Sequence, residues 1–508
     1  MNRINPTNER NSETENARLK VGPAPELVES AFQLEVADAA VLWKGMGLAD
    51  LAHVVHLQEI SVIPQPMASG LLTLLLELHA MPSRMFRLDA SLEDVYSNRE
   101  RWLSDRDEQA AGWIGAGRAR RESATTAYRI AGRDLLLELA RELVGLVCAV
   151  CDRAEEHVAT IMPDYTYLQY AQPTTLAHYL MSFAFPFLRD LERLQGCFDR
   201  SNQCPAGIGS INGSRLPINR SRLAELLGFS KAIPHSRDAM WQVDEPVEVM
   251  SIMTAMCMHM DRLAEDLQIW NTSEFNFAEL ADKHARISRI MPQKKNPYAL
   301  AFIRGVAGTM IGRLVSVSAV AKTPSAQVDN RIFVIGQVPD ALGQLIQTVK
   351  LFSAVIRGIQ FHTDVMNQRA AEGFGQATDL AELLMESEGI NYRTAHRIVA
   401  LAVRIAIDAG SDRLVDQDLN QASEQVLGHH LENPSDCLRS VSGPDAVVQT
   451  RQGLGGAAPN SVRAMIGESR SAMIAVADWR NRVANGLADC EKRLVDQATK
   501  LSLLKIGS

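Results

Sequence analysis

Ser288, Lys294 and Asn296 lie close together in the stretch Ile287-Ser288-Arg289-Ile290-Met291-Pro292-Gln293-Lys294-Lys295-Asn296-Pro297. Pro297 is pre-set for a first helical turn, where its missing N–H costs nothing, and Tyr298 to Val320 reads as a long apolar helix. A hydroxyl, an ammonium and an amide are thus placed at a helix entrance, whose free amides and positive dipole end favour an anion. A small anionic substrate is the partner such a loop suits. Without a function, the same stretch is simply a polar loop before a helix.

The rest of the chain must hold that loop. Its 508 residues exceed the usual size of one hydrophobic core, so several domains or an elongated bundle are expected. Hydrophobic residues at 46% with 6% aromatics, weighted toward Ala, Leu and Met, favour helix. A net charge of −8 gives no reason to expect nucleic acid, although Arg118, Arg120 and Arg121 form a local basic cluster. Seven scattered cysteines argue against a disulfide framework and for a reducing compartment. Cys148 and Cys151, a C-x-x-C within a helical pattern, read as packed thiols. No run approaches the ~18 consecutive apolar residues of a membrane span, so no membrane partner is expected. The amino terminus lacks the apolar stretch of a signal peptide, which points to a cytoplasmic protein.

Proline and glycine punctuation divides the chain into four: a flexible tail (1–24), an N-terminal domain of shorter helices (25–115), a long-helix bundle carrying the loop (116–365), and a C-terminal domain of shorter helices (366–508). In the bundle, Leu342, Leu345, Ile346, Val349, Phe352, Ile356 and Ile359 recur at helical spacing. Val247 to Trp270 is apolar nearly all round as far as Met260, which predicts burial with partners beyond its own chain; its methionines read as packing.

The Met-Pro-Gln-Lys-Lys-Asn-Pro stretch resembles the signature loop of the fumarase/aspartase superfamily in the form typical of argininosuccinate lyases. Ser91-Leu-Glu-Asp-Val-Tyr-Ser-Asn98, Gly117-Arg118-Ala119-Arg120, Tyr165-Thr-Tyr-Leu-Gln-Tyr-Ala-Gln-Pro173, Gly213 to Asn219, Leu263 to Leu267, Ala377 to Leu380 and Gly455 to Pro459 resemble further segments of that family, in the same order. The resemblance implies an all-α fold of three domains whose central helices pack four subunits into a D2 tetramer with active sites assembled from several chains. It implies a cofactor-free carbon–nitrogen lyase that releases fumarate by β-elimination. Ser288 falls on the family's catalytic base, and Lys294 and Asn296 on groups that hold the substrate carboxylate or its loop. Arg118, Arg120, Asn98 and Thr166 fall on substrate segments; Arg120 is the leading candidate for a carboxylate, because its planar fork suits bidentate contact.

Several positions depart from the family pattern. Ile287, Ser288 and Arg289 stand where the family has Gly-Ser-Ser, which removes a glycine and adds a guanidinium; Arg289 and Arg286 are open to a second acidic group or to solvent. Tyr167 replaces the family's proton-handling histidine, and Ala301 its carboxylate partner, so Tyr167 is either a replacement acid or a wall that hydrogen-bonds substrate. Arg121 replaces an asparagine. Gln327, Ile332 and Ile335 replace a tyrosine, a glutamine and a lysine that grip substrate. His53 and His56 read as helix-surface histidines, and His429 with His430 lacks further ligands at metal spacing, so no metal is expected. Three readings follow: an argininosuccinate lyase-like enzyme; a divergent lyase of a specialised pathway whose leaving group needs no general acid; and a weakly catalytic homologue with a structural or binding role.

Overall fold

The computed structural model describes residues 21–322 and 331–504. Helices α1 (Ala39–Glu59) and α2 (Gln65–Ala80) are separated by a turn at Pro64. Helix α3 (Val95–Ser104) starts where the Asp94 carboxylate accepts the Ser97 N–H at 2.8 Å. Helix α4 (Arg120–Glu156) then runs for 37 residues, about 55 Å at ~1.5 Å per residue. A hairpin of β1 (Ile161–Thr166) and β2 (Gln169–Thr175) reverses the chain. Helices α5 (Leu176–Ser201), α6 (Asp244–Trp270), α7 (Tyr298–Ala321) and α8 (Gln337–Gly358) complete a bundle around α4.

Polar contacts fix the directions of these helices. At the start of α4, Thr125 donates to the Met240 carbonyl at 3.0 Å, and Arg129 donates to Gln242 at 2.7 Å and to the Ser201 carbonyl at 3.3 Å. The end of α5 and the beginning of α6 therefore sit there. At the far end of α4, Arg153 donates to the Ile359 carbonyl at 3.0 Å, and the rings of Tyr179 and Trp270 lie 4.6 Å apart. The helices alternate in direction along one long axis.

The apolar residues of α8 at helical spacing are all buried, as their periodicity predicts. Methionines 250, 253, 256 and 260 of α6 are buried too, and Met258 alone among the five faces outward. The more exposed apolar face belongs to α7, where Phe302, Ile311 and Val315 are 42%, 48% and 64% exposed. By length and composition this helix is apolar enough to cross a membrane. Its Arg304 pairs with Asp261 and Glu265 on α6, and Arg313 with Asp340 on α8.

Helices α1 and α2 share one core with the bundle. The Gly45 position makes this close: a Cβ there would meet the Ala127 Cα at 2.6 Å, so α1 crosses α4 with almost no side chain between them. Helices α9 (Ala377–Ser387), α10 (Tyr392–Asp408) and α11 (Asp416–Leu427) enclose a second core. Helix α12 (Pro459–Ser502), 44 residues long, is not one of the shorter helices expected after residue 366. It lies back along the bundle, with Val462, Met465 and Ile466 in the main core, Arg470 on Asp152 at 3.1 Å, and the Ser502 carbonyl accepting from Ser69 at 2.7 Å. All seven cysteines are free; burial pushes the Cys151 thiol up to about 12.

Asp50 ties α1 to the segment that precedes α4. Its buried carboxylate receives Arg99 and Arg118, each at 2.8 Å. Removing the carboxylate leaves two guanidinium groups without their counter-charge in the core, which costs more than any surface pair. Asp50→Asn is therefore expected to lower the unfolding free energy by ~3–5 kcal/mol, read as a shift in the urea midpoint; a shift below about 1 kcal/mol contradicts this placement.

Candidate active site

The signature loop is a small hairpin. Strand β3 (Arg286–Ile287) pairs antiparallel with β4 (Lys295–Asn296), and Asn296 Nδ2 donates to the Arg286 carbonyl at 3.0 Å, which leaves one amide N–H for another acceptor. The Ser288 N–H donates to the Lys294 carbonyl at 3.1 Å, and the Lys294 N–H to that of Met291 at 3.0 Å. Ser288 Oγ accepts two backbone N–H groups, from Ile290 at 3.3 Å and Met291 at 3.0 Å. Such bonds close a turn, and they also favour a serine oxygen carrying negative charge. Pro297 caps α7, the helix predicted to start there, and no acidic residue occupies its first turn.

The cations of the loop differ in their partners. Lys295 pairs with Asp282 and Glu279, both at 2.7 Å, and these bonds raise its pKa. Lys294 is exposed, and among the described residues no carboxylate pairs with it.

Tyr167 occupies the tip of the β1–β2 hairpin and is 99% exposed. It and Leu168 have φ of 56° and 57°, the left-handed pair of a two-residue turn, a conformation normally left to Asn and Gly. Holding two ordinary residues there is strained, and it throws the phenol outward. Thr166 beside it is exposed, its backbone paired with Gln169. Below the tip, Tyr165 packs on Phe275 and Phe277.

The basic cluster at the start of α4 is used largely within the chain. Arg118 is buried on Asp50 and does not present its guanidinium to a substrate, because a charge in that core needs its counter-ion. Asn98 is spent likewise: its Nδ2 donates to the Asp89 and Asp94 carbonyls at 2.9 and 2.8 Å, and its Oδ1 accepts the Asp89 N–H at 2.7 Å. Arg121 pairs with Glu35 at 2.8 Å, and its carbonyl accepts from Arg331. Arg120 is the more open one, partly exposed and paired with Glu93 and, at 3.6 Å, Asp94. Gln327 lies outside the described residues; Ile332 and Ile335 lie in the turn of helix entering α8.

His53 and His56 are buried rather than on the surface expected from their helical pattern. His56 Nε2 accepts the Asn219 N–H at 2.9 Å, while burial and then the charge of Arg118 push His53 well below the usual imidazole range. Sequence reasoning overlooked Asp50 and Glu122, which hold the Arg118–Arg120 segment from beneath. Asp50, a lone carboxylate in the apolar run Gly45 to Val55, and Glu122, directly after Arg120 and Arg121, were the only signals. His430 pairs with Glu424 at 2.6 Å.

The loop and Arg120 stand at opposite ends of the bundle. A Cβ on Gly358 would lie 3.4 Å from His284, so the loop's base adjoins the far end of α4 through α8, where Arg153 binds Ile359. From Arg120 to Arg153 the helix rises about 50 Å. One chain does not bring Ser288 and Arg120 together.

An elongated helical bundle carries Ser288, Lys294 and Asn296 on a loop at a helix entrance, and comparison with known proteins places it among the carbon–nitrogen lyases of the fumarase/aspartase superfamily. Residues 83–312 match the family described as Lyase, and residues 374–442 the argininosuccinate lyase C-terminal family. Argininosuccinate lyase from Methanosarcina acetivorans is 32% identical over 465 residues, covering 89% of this chain and 92% of the relative. That from Neisseria meningitidis serogroup A is 33% identical over 418 residues, covering 81% and 89%. The structure of EDDS lyase in complex with formate superposes with a TM-score of 0.85 at 29% identity, covering 95% of this chain and 96% of that one. The chain belongs to the argininosuccinate lyase family.

Glu122 supplies a test of the segment under Arg120. One carboxylate oxygen accepts the Gly207 N–H at 2.6 Å, and burial pushes the pKa up to about 7. A carboxyl raised in the folded state contributes stability that is complete below its ordinary pKa and is lost as pH rises through about 7. Glu122→Gln is expected to flatten that loss, gaining ~1–3 kcal/mol relative to the parent between pH 6 and pH 8.5 in denaturant titrations. Parallel pH profiles for the two proteins contradict it.

Proposed function

We propose that this enzyme catalyses β-elimination from an N-succinyl, argininosuccinate-type substrate, releasing fumarate and an amine such as arginine, in sites shared between the protomers of a homotetramer. Ser288 takes the proton next to a carboxylate. The bond from the neighbouring carbon to nitrogen then breaks, its electron pair leaving on the amine nitrogen, which takes up a proton from solvent while Ser288 gives up the one it took. The intermediate carries a doubly charged aci-carboxylate, which Lys294 and the remaining N–H of Asn296 stabilise, while Arg120 of another protomer exchanges Glu93 and Asp94 for the second carboxylate. The observation that carries this reading is Ser288 Oγ accepting two backbone N–H groups in a loop rich in cations.

The ~50 Å between Arg120 and the loop end of α4 supports a shared site. The exposed apolar face of α7, with Phe302, Ile311 and Val315, supports a subunit contact, since an apolar stripe of that length is costly in water. Tyr167 and Thr166, held outward, suit delivery into a neighbour's site. The reading places a small anionic substrate, with no cofactor, metal, nucleic acid or membrane, in a cytoplasmic enzyme of arginine biosynthesis.

A second reading, a divergent lyase acting on another succinyl or amino acid derivative, is favoured by Ala301 and by the absence of an acid in the first turn of α7. A leaving group there meets no carboxylate from its own helix. The likeness to EDDS lyase supports it too.

Fumarate release from argininosuccinate tests the first reading. Ser288→Ala is expected to lose ~10²–10⁴ in kcat while keeping the parent's oligomeric mass, and a variant within tenfold of the parent overturns Ser288 as base. Sharing has its own test. Mixing inactive Ser288→Ala and Arg120→Ala proteins after mild dissociation is expected to restore turnover, because hybrid sites draw the two residues from different chains. If all hybrids stay inactive while each parent reassembles, the site is confined to one chain.

A further inference from the structure

Between Asp282 and Asp329 the chain contains no acidic residue, yet the signature loop carries Arg286, Arg289, Lys294 and Lys295. Lys295 is neutralised by Asp282 and Glu279. Arg286, Arg289 and Lys294 have no ion-pair partner among the described residues, and the first turn of α7, with its own positive dipole end, has no acid to offset it. The Arg286 guanidinium lies 5.1 Å from the centre of the Tyr298 ring, so it is held at the helix entrance with its N–H edges free.

Fumarate and the succinyl group bring two carboxylates. On the reading above, one goes to Lys294 and Asn296 and the other to Arg120. Two guanidinium groups and a helix entrance remain without an anion. Guanidinium forks match carboxylates in pairs of N–H bonds, whereas a cationic tail on the substrate is repelled by them.

Resting on the lyase reading, we propose that Arg286 and Arg289 form a second carboxylate subsite, which binds an acid group on the amine half of the substrate, the half that leaves. Arg286, braced on Tyr298, fixes the position of that group, and Arg289, next to Ser288 on the same loop, supplies a second guanidinium fork. The subsite acts on recognition of the amine and takes no part in proton transfer.

The addition direction tests this cleanly: the amine nitrogen attacks one alkene carbon of fumarate, the other takes a proton, and the products are N-substituted aspartates. Amine pairs differing by one carboxylate, arginine with agmatine and aspartate with β-alanine, are compared by kcat/KM at saturating fumarate. The parent is expected to prefer the carboxylate-richer member of a pair by about tenfold or more. Arg289→Ser and Arg286→Gln are each expected to collapse that preference through a higher KM for the richer amine, with the KM for fumarate moved less than twofold. An unchanged preference in both variants, or a rise confined to the KM for fumarate, overturns the subsite and leaves the lyase reading intact. A parent that adds none of the four amines, and that Ser288→Ala does not alter in cleavage assays, overturns both.

Discussion

The length of α4 governs the architecture. An α-helix rises ~1.5 Å per residue whatever its sequence, so 37 unbroken residues separate the arginine cluster at one end from the signature loop at the other. Every other bundle helix runs along this rod, and the contacts of Thr125, Arg129 and Arg153 register them against it. A reaction that needs groups from both ends is possible only where protomers lie side by side in opposite directions.

That constraint explains which polar groups are bound internally and which are left open. At the start of α4, Asp50 and Glu35 hold Arg118 and Arg121, which leaves Arg120 the more open of the three. Asn98 holds the chain leading into α3 by closing the turn at Asp89. At the other end, Lys294, Tyr167 and the edge of Ser288 face outward. Groups that finish their hydrogen bonds within the chain shape its loops, and Lys294 and Tyr167 are left open by the fold.

Much of the fold was legible in the sequence because helical periodicity is local. The start of α7 after Pro297 and the buried stripe of α8 follow from neighbouring residues alone. The loop was legible for the same reason, since its serine, lysine and asparagine are close in the chain. Partners distant in sequence were not. Nothing near Arg118 indicates Asp50, 68 positions away, and nothing near His53 indicates that the α4 lead-in covers it. The sequence of α12 reads as shorter pieces because its length shows only where the bundle supplies a surface for it. The outward face of α7, rather than α6, was likewise decided by which helices of the same chain reach each side.

The most direct measurement is an experimental structure of the assembled protein with fumarate bound. One fumarate is expected with a carboxylate on Lys294 and Asn296 of one protomer, Ser288 Oγ of that protomer facing its alkene carbons, and the other carboxylate on Arg120 of a different protomer. A fumarate whose contacts all come from a single chain, or one bound with Ser288 Oγ turned away into solvent, would contradict it.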